Sequence, residues 1–254
     1  MNGLDLSLIA PALLAGALVL STHVPLGHEG LKRGIIFIDL AIAQIAALGV
    51  IAAIVFGGEL ANWQIQVFAS VSALLGAGLI YGLEQRHKES LEAIIGILFV
   101  LAASGGLILV SYAPHSDELL HDLLVGQILW VSSQQLLWIA ALYIPLLLIW
   151  FKFNQKNPLV FYLVFSLAVT ASVQLVGIYL VFASLIVPAL ACRIIKQAKT
   201  RLIYAYSLGL LGYILGVFAS ITFDLPTGAI IVWTLLVVCL LSQPILNRCQ
   251  NLLK

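Results

Sequence analysis

Stretches of about 20 consecutive apolar residues, long enough to cross a bilayer as a helix, recur from one end of this chain to the other. Nine can be marked: residues 6–26, 34–56, 64–83, 93–112, 134–151, 158–176, 177–192, 202–222 and 227–246. In hydrocarbon every backbone polar group must find a partner in the protein itself, which an apolar run of this length does as a helix. Unbroken apolar stretches, without period-two alternation, favour helices. Composition agrees: 62% of the 254 residues are hydrophobic and only 9% are charged. A water-soluble domain of this length needs far more charge on its surface. The expected fold is all-α, a polytopic membrane bundle of about nine transmembrane helices forming one domain over residues 1–254. Nothing polar separates the sixth and seventh spans except Gln174 and Gly177, which predicts a tight turn or a broken helix there.

The charges orient the bundle. All twelve Lys and Arg residues are Lys32, Arg33, Arg86, Lys88, Lys152, Lys156, Arg193, Lys196, Lys199, Arg201, Arg248 and Lys254. With nine spans they fall in the first, third, fifth and seventh loops and the C-terminal tail, on one side of the membrane. The opposite loops hold Glu59, then Asp117, Glu118 and Asp122, then Asp224, and no basic residue. The positive-inside rule then places the N-terminus outside and the C-terminus in the cytoplasm. An even number of spans would put basic clusters on both faces.

Other features bound the function. A net charge of +1 and the lack of a polybasic tail argue against nucleic-acid binding. Cys192, Cys239 and Cys249 form no CxxC pair and are expected as free thiols. The sequence has no GxxxxGK[ST] phosphate loop and no HExxH, so driving energy must come from an ion gradient or another subunit. Met1–Asp5 lacks the basic start of a cleavable signal, so the first span is expected to be retained. Gly78 and Gly82, and Gly212 and Gly216, have the GxxxG spacing that lets helix backbones approach. Pro145 and Pro188 predict kinks, and Asp224 in FDLPTG predicts a turn or helix cap. Residues 113–133 read as an amphipathic helix on the outer face, with His115 and His121 beside its acids. A solvated polar face accounts for that composition more simply than a cation site.

An ionisable group inside a span is costly and marks a functional candidate. Asp39, in GIIFIDLAIAQIAALG, is the one acid clearly within a span, and Gln44 lies deeper on the same helix. His23 precedes Pro25 on the helix before it. With a first loop centred near residue 31, His23 and Asp39 are eight residues to either side and reach similar depth. Together with Gln44 they form a candidate transient metal site, since imidazole and carboxylate suit zinc, manganese or iron. A structural His–Asp hydrogen bond locking two helices accounts for the same residues. His28 and Glu29 are read as solvated loop residues, and His87 as part of a charged turn.

At these residues the chain resembles the ABC-transporter permeases for zinc, manganese and iron. PLGHEGLKRGIIFIDLAIAQIAALG is similar to that family's first hairpin, with a basic turn and then an Asp-containing helix ending in Leu-Gly. LVGIYLVFASLIVPALACR matches its Val-Gly, apolar run, Pro-Ala and basic end. DLPTGAIIV matches its Asp-x-Pro-x-Gly before the last helix, and LLVGQILWVS resembles a further glycine-containing segment. The resemblance implies a permease subunit of an ATP-driven importer of divalent transition metals, with zinc the favoured ion and no resident cofactor. It also implies a second copy of the chain, cytoplasmic ABC ATPase subunits, an extracytoplasmic metal-binding protein, a lipid surround, and a place in the bacterial inner membrane. ATP hydrolysis would belong to the separate ATPase, not to this chain. A secondary transporter or channel working without an ATPase is the alternative. The sequence departs from the family twice. The family sets a His four residues after the Asp, whereas Gln44 follows Asp39 by five, a rotation of about 140° on a helix; His23 could supply the imidazole. The fifth loop, Lys152–Asn157, is short where relatives carry a helix that docks the ATPase, leaving RIIKQAKTR as the alternative docking loop.

Overall fold

The structure is a computed structural model that describes residues 6–57, 61–110, 126, 128–153 and 157–252. The described residues form eight long helices: α1 (Leu6–Arg33), α2 (Ile38–Gly57), α3 (Asn62–Glu84), α4 (Leu91–Val110), α5 (Ser133–Phe153), α6 (Pro158–Ala191), α7 (Ala198–Phe223) and α8 (Thr227–Leu252). Single 3-10 turns stand at Lys88–Ser90 and Ile128–Trp130. All eight helices are long and apolar enough to cross a membrane. Large apolar side chains such as Leu75, Leu137, Trp138 and Leu241 stand exposed along them, which is how a bundle meets lipid. The fold is a polytopic helical membrane domain.

Among the described residues eight long helices stand where nine spans were expected. The sixth and seventh spans form the single stretch α6, within which Gly177 alone leaves helical geometry, at φ 79 and ψ 164. The chain is therefore broken where the sequence suggested, but by one residue and without a loop. That backbone conformation is open to glycine and strained for any residue with a Cβ. Of the 113–133 reading, residues 113–125 and 127 lie outside the described residues, and the rest is a 3-10 turn at Ile128–Trp130 leading into α5.

The first loop also differs. Helix α1 does not end near residue 26 but continues through Pro25 to Arg33, with the turn at Gly34–Phe37. A proline inside a helix leaves the carbonyl four residues earlier without its donor. Here that carbonyl is Ser21 O, and the hydroxyl of Tyr206 on α7 donates to it at 3.0 Å. The helix thus passes the proline with its hydrogen bonding intact. His28 and Glu29 consequently lie on α1, where Glu29 pairs with Arg33 at 3.0 Å and Lys32 at 3.8 Å.

The helices group into two compact units. One comprises Met1–Arg33, Val125–Ile144 and Leu175–Lys254. In it the α7–α8 hairpin is drawn tight by glycine. A Cβ at Gly212 would lie 2.6 Å from the Leu235 side chain, and one at Gly216 would lie 2.6 Å from Ile231 and Thr234. Thr234 Oγ1 also donates to Gly212 O at 2.8 Å. Gly209, one turn before Gly212, receives Leu20 of α1. Asp224, in left-handed conformation at φ 51, caps α7 as expected. Ser220 closes the turn with hydrogen bonds to Leu225 O and Thr227 Oγ1, both 2.6 Å. Gly27 of α1 packs directly on Leu185 O of α6, too closely for a side chain.

The other unit comprises Gly34–Leu124 and Pro145–Gln174. Here α2 lies between α3 and α4. Gly49 rests on Ser72, Gly76 on Ile45, and Gly106 on Ile51. The backbone N–H of Ile36 donates to Glu92 at 3.1 Å, tying the turn before α2 to the start of α4. Phe161 packs against Trp150 and Phe165 with ring centroids 6.1 and 5.2 Å apart, and Tyr162 donates to Glu84 at 2.9 Å. The two GxxxG pairs thus behave differently: Gly212 and Gly216 meet a neighbouring helix, whereas a Cβ at Gly78 or Gly82 would meet nothing within 4 Å.

Candidate functional site

Asp39 is the second residue of α2, a helix that is otherwise entirely apolar up to Gln44. It is 1% exposed, and neither carboxylate oxygen has a hydrogen-bond partner among the described residues. Position in the first turn gives the carboxylate the favourable end of the helix dipole. That contribution is small beside the cost of burying an unpaired charge, so a buried orphan acid calls for a partner. Gln44, five residues on, is partly buried and turned about 140° around the helix from Asp39. The two side chains therefore do not make the same-face pair that a four-residue spacing would give.

His23 is fully buried on α1. Its Nδ1 lies 2.9 Å from Val19 O and 3.0 Å from Thr22 Oγ1, and the Thr22 hydroxyl also donates to Val19 O at 3.2 Å. A carbonyl can only accept, so Nδ1 carries the proton and Nε2 keeps its lone pair. That Nε2 is buried and without a partner. A ligating histidine is held in this way, its second nitrogen donating to a carbonyl so that the first is free for a metal. His28 repeats the arrangement, with Nδ1 2.8 Å from Val24 O and a buried Nε2 without a partner. It is half-buried rather than solvated, a correction that follows from the extension of α1 beyond Pro25.

Equal spacing of His23 and Asp39 about the first loop does not hold. His23 lies ten residues before the end of α1, and Asp39 begins α2 directly after the turn. The two residues also belong to different compact units. Among the described residues no group of three or more His, Cys, Asp or Glu could hold a metal ion as a resident site. Among the described residues the buried side-chain polar atoms without a hydrogen-bond partner are both Asp39 carboxylate oxygens, His23 Nε2, His28 Nε2 and Arg201 Nε.

Two polar features, one buried and one half-buried, were not legible in the sequence. Ser184 of α6 and Tyr213 of α7 share a hydrogen bond of 2.7 Å, with Gly16 of α1 packed against the Tyr213 ring. No motif announces this pair, because a tyrosine inside an apolar run reads as bulk. Gln243 of α8 donates to Ala191 O at 3.2 Å, capping the end of α6. Cys192 and Cys239 are free and buried, as expected of thiols without a disulfide framework. Just past α6, burial pushes the Cys192 thiol up to about 11, against the opposing pull of the Arg201 guanidinium. Such a thiol is protonated and inert at neutral pH.

The chain is similar to known proteins along most of its length. A sequence model of the ABC 3 transport family matches residues 5–159 and 154–245. The chain is 30% identical over 184 residues to the manganese transport system membrane protein MntC of Listeria innocua, covering 64% of each. It is 28% identical over 250 residues to the MntC protein of Halalkalibacterium halodurans, covering 90% of this chain and 84% of that one. The probable iron transport system membrane protein of Haemophilus influenzae is 29% identical over 185 residues, with 65% of each covered. The chain thus spans 64% of the length of the Listeria relative. Among solved structures, PsaBC from Streptococcus pneumoniae in complex with Fab has the same fold, with a TM-score of 0.76, 24% identity, and coverage of 94% of this chain and 91% of that one. A bundle of apolar helices with a buried, unpaired acid at the head of α2, matched by one family model over nearly all its residues, belongs to the ABC 3 transport family.

Proposed function

We propose that the chain is the membrane permease subunit of an ATP-driven importer of divalent transition-metal ions, with Asp39, His23 and Gln44 as successive oxygen and nitrogen ligands along the path. The observation that carries this reading is the Asp39 carboxylate, buried in an apolar helix with both oxygens unpartnered. A cation in transit supplies the charge that it lacks. Carboxylate and amide oxygens with a single imidazole suit manganese and iron at least as well as zinc. The metals named for the relatives are manganese and iron. Manganese(II) is therefore the first cargo to test, and zinc, favoured by the sequence resemblance, is its competitor.

The chain is taken to have no catalytic activity of its own. Family membership supports an assembly with cytoplasmic ATPase subunits, a second copy of this chain and an extracytoplasmic metal-binding protein, in the inner membrane of a bacterium. The short Lys152–Asn157 connection leaves the basic segment at residues 193–201 as the docking surface for the ATPase. Counting α6 as two passes that meet at Gly177 keeps all the basic loops on the cytoplasmic face and the N-terminus outside.

The test is uptake of radioactive manganese(II) and zinc(II) by cells with and without the gene. Uptake should depend on the gene and fall by about tenfold or more in Asp39→Asn, with the variant protein present in normal amount and melting as wild type does. His23→Ala should likewise abolish uptake. Wild-type transport by Asp39→Asn overturns the reading.

A further inference from the structure

Helices α1 and α7 pack in antiparallel register within the first unit. Gly16 meets the Tyr213 ring, Leu20 fills the place beside Gly209, and Tyr206 donates to Ser21 O. Arg201, Ala205, Gly209 and Tyr213 recur every fourth residue and so form one stripe of α7. Eight residues on from Leu20 and eight back from Gly209, that register sets His28 opposite Arg201. The Arg201 charge accordingly acts on His28, and on Cys192 just past α6.

Neither group is satisfied within the protein. Arg201 Nε is buried without a hydrogen-bond partner, and no acid among the described residues pairs with the guanidinium. Glu29, next to His28 in sequence, is engaged by Arg33 and Lys32. His28 donates from Nδ1 to Val24 O at 2.8 Å, which leaves Nε2 an unpartnered acceptor. A cationic donor on α7 thus faces a neutral acceptor on α1, and a single ligand for both must carry an anionic oxygen and a hydroxyl. Both residues are partly exposed, so an outside group can reach them. Depth selects which group. Arg201 is the fourth residue of α7, and His28 lies five residues before the end of α1. Those positions are about 5 and 8 Å along the axes from the helix ends, within a headgroup layer about 5–8 Å thick on each side of the hydrocarbon. Basic pockets between spanning helices take lipid headgroups at that level. A glycerol headgroup brings both the phosphate and the hydroxyl. An ethanolamine headgroup also offers a donor, but sets a second cation beside the guanidinium. A carboxylate from a docking protein would satisfy Arg201 and leave His28 Nε2 without a donor.

We propose that Arg201 and His28 form a site for one anionic lipid headgroup of the phosphatidylglycerol type, its phosphate accepting from the guanidinium and a glycerol hydroxyl donating to His28 Nε2. The site stands on the packing of α1 against α7 and holds whichever ion the chain carries. Arg193, Lys196 and Lys199 are exposed around it and remain free for a docking partner.

The test titrates the purified full chain in detergent with defined lipids and counts bound lipid by native mass spectrometry. The probes are dioleoyl phosphatidylglycerol, dioleoyl phosphatidylethanolamine and dioleoyl phosphatidylmethanol, the last with the same charge but no hydroxyl. Soluble glycerol 3-phosphate serves as competitor. The wild-type chain should take its first phosphatidylglycerol about fivefold more tightly than phosphatidylethanolamine and about threefold more tightly than phosphatidylmethanol. Arg201→Gln should weaken both anionic lipids about fivefold. His28→Phe should erase the advantage of phosphatidylglycerol over phosphatidylmethanol and leave the latter bound as before. Lys196→Gln, at an exposed position, should change neither. Three results overturn the proposal. One is a wild-type chain that does not prefer phosphatidylglycerol to both other lipids, which needs no variant to fold. Another is an Arg201→Gln chain that melts as wild type does and keeps its lipid, as expected if the guanidinium is reserved for a protein carboxylate. The third is displacement of the lipid by glycerol 3-phosphate, which would make the ligand a soluble phosphate ester.

Discussion

The passage of α1 through Pro25 depends on one hydroxyl from a distant helix, and that dependence can be measured. Tyr206→Phe removes the donor at 3.0 Å from Ser21 O. The residue four positions on, whose N–H would otherwise donate to this carbonyl, is Pro25. A buried acceptor left unsatisfied costs about 1–3 kcal/mol, while hydrogen bonds between membrane helices average about 0.6 and reach about 1.7 kcal/mol. A loss of about 1–1.5 kcal/mol is therefore expected. The sharper measurement is a double-mutant cycle with Pro25→Ala. Alanine restores the N–H that bonds to Ser21 O within the helix, so Tyr206→Phe should then cost only a few tenths of a kcal/mol. Unfolding of the purified protein in mixed micelles, followed by circular dichroism across a denaturant series, gives the four free energies, and their coupling should be about 1 kcal/mol. An equal cost of Tyr206→Phe in both backgrounds would show that the tyrosine merely packs, and the explanation of the long first helix would fall.

Two further expectations follow from the same geometry. Gly212→Val should destabilise by about 1–3 kcal/mol through collision with Leu235, whereas Gly78→Ala, which meets only open space, should be neutral or gain up to about 1 kcal/mol of helix propensity; thermal melts of the two variants separate them, and equal losses would refute the assignment of only one GxxxG pair to helix packing. Single cysteines placed at Lys156 and Lys196, in a background free of other thiols, should both react with an impermeant maleimide only from the cytoplasmic face; labelling from opposite faces would show α6 to be a single crossing and undo the proposed orientation.

Helix positions were legible because length and apolarity decide them almost alone in a bilayer. The break in α6 was legible for the same reason: Gln174 and Gly177 stood out in an otherwise featureless run. The end of α1 was not. The chain reads as stopping at Pro25, and what carries the helix onward is Tyr206, 185 residues from its partner Ser21. Misplacing that end also misplaced His28 and Glu29 in a loop and gave His23 and Asp39 a symmetry about residue 31 that they do not have. Asp39 stood out as an acid in an apolar run, and the structure buries it with neither carboxylate oxygen partnered. The GxxxG signal was half right because spacing shows only that a groove exists; whether a neighbour fills it is settled by the partner helix, here Ile231, Thr234 and Leu235 of α8.

The α7–α8 hairpin satisfies its own needs. Its turn is closed by Ser220 and Thr227, its cap is Asp224, and its mating surface is glycine on one helix against branched side chains on the other. A pair so arranged can stand in lipid before it touches anything else, with Gly209 presented as a ready socket for Leu20. Assembly of this unit then becomes the docking of a finished clasp onto α1, and a frameshift or truncation within α8 would do more than delete one helix. It would leave the flat glycine face of α7 turned to lipid, where no side chain covers its backbone.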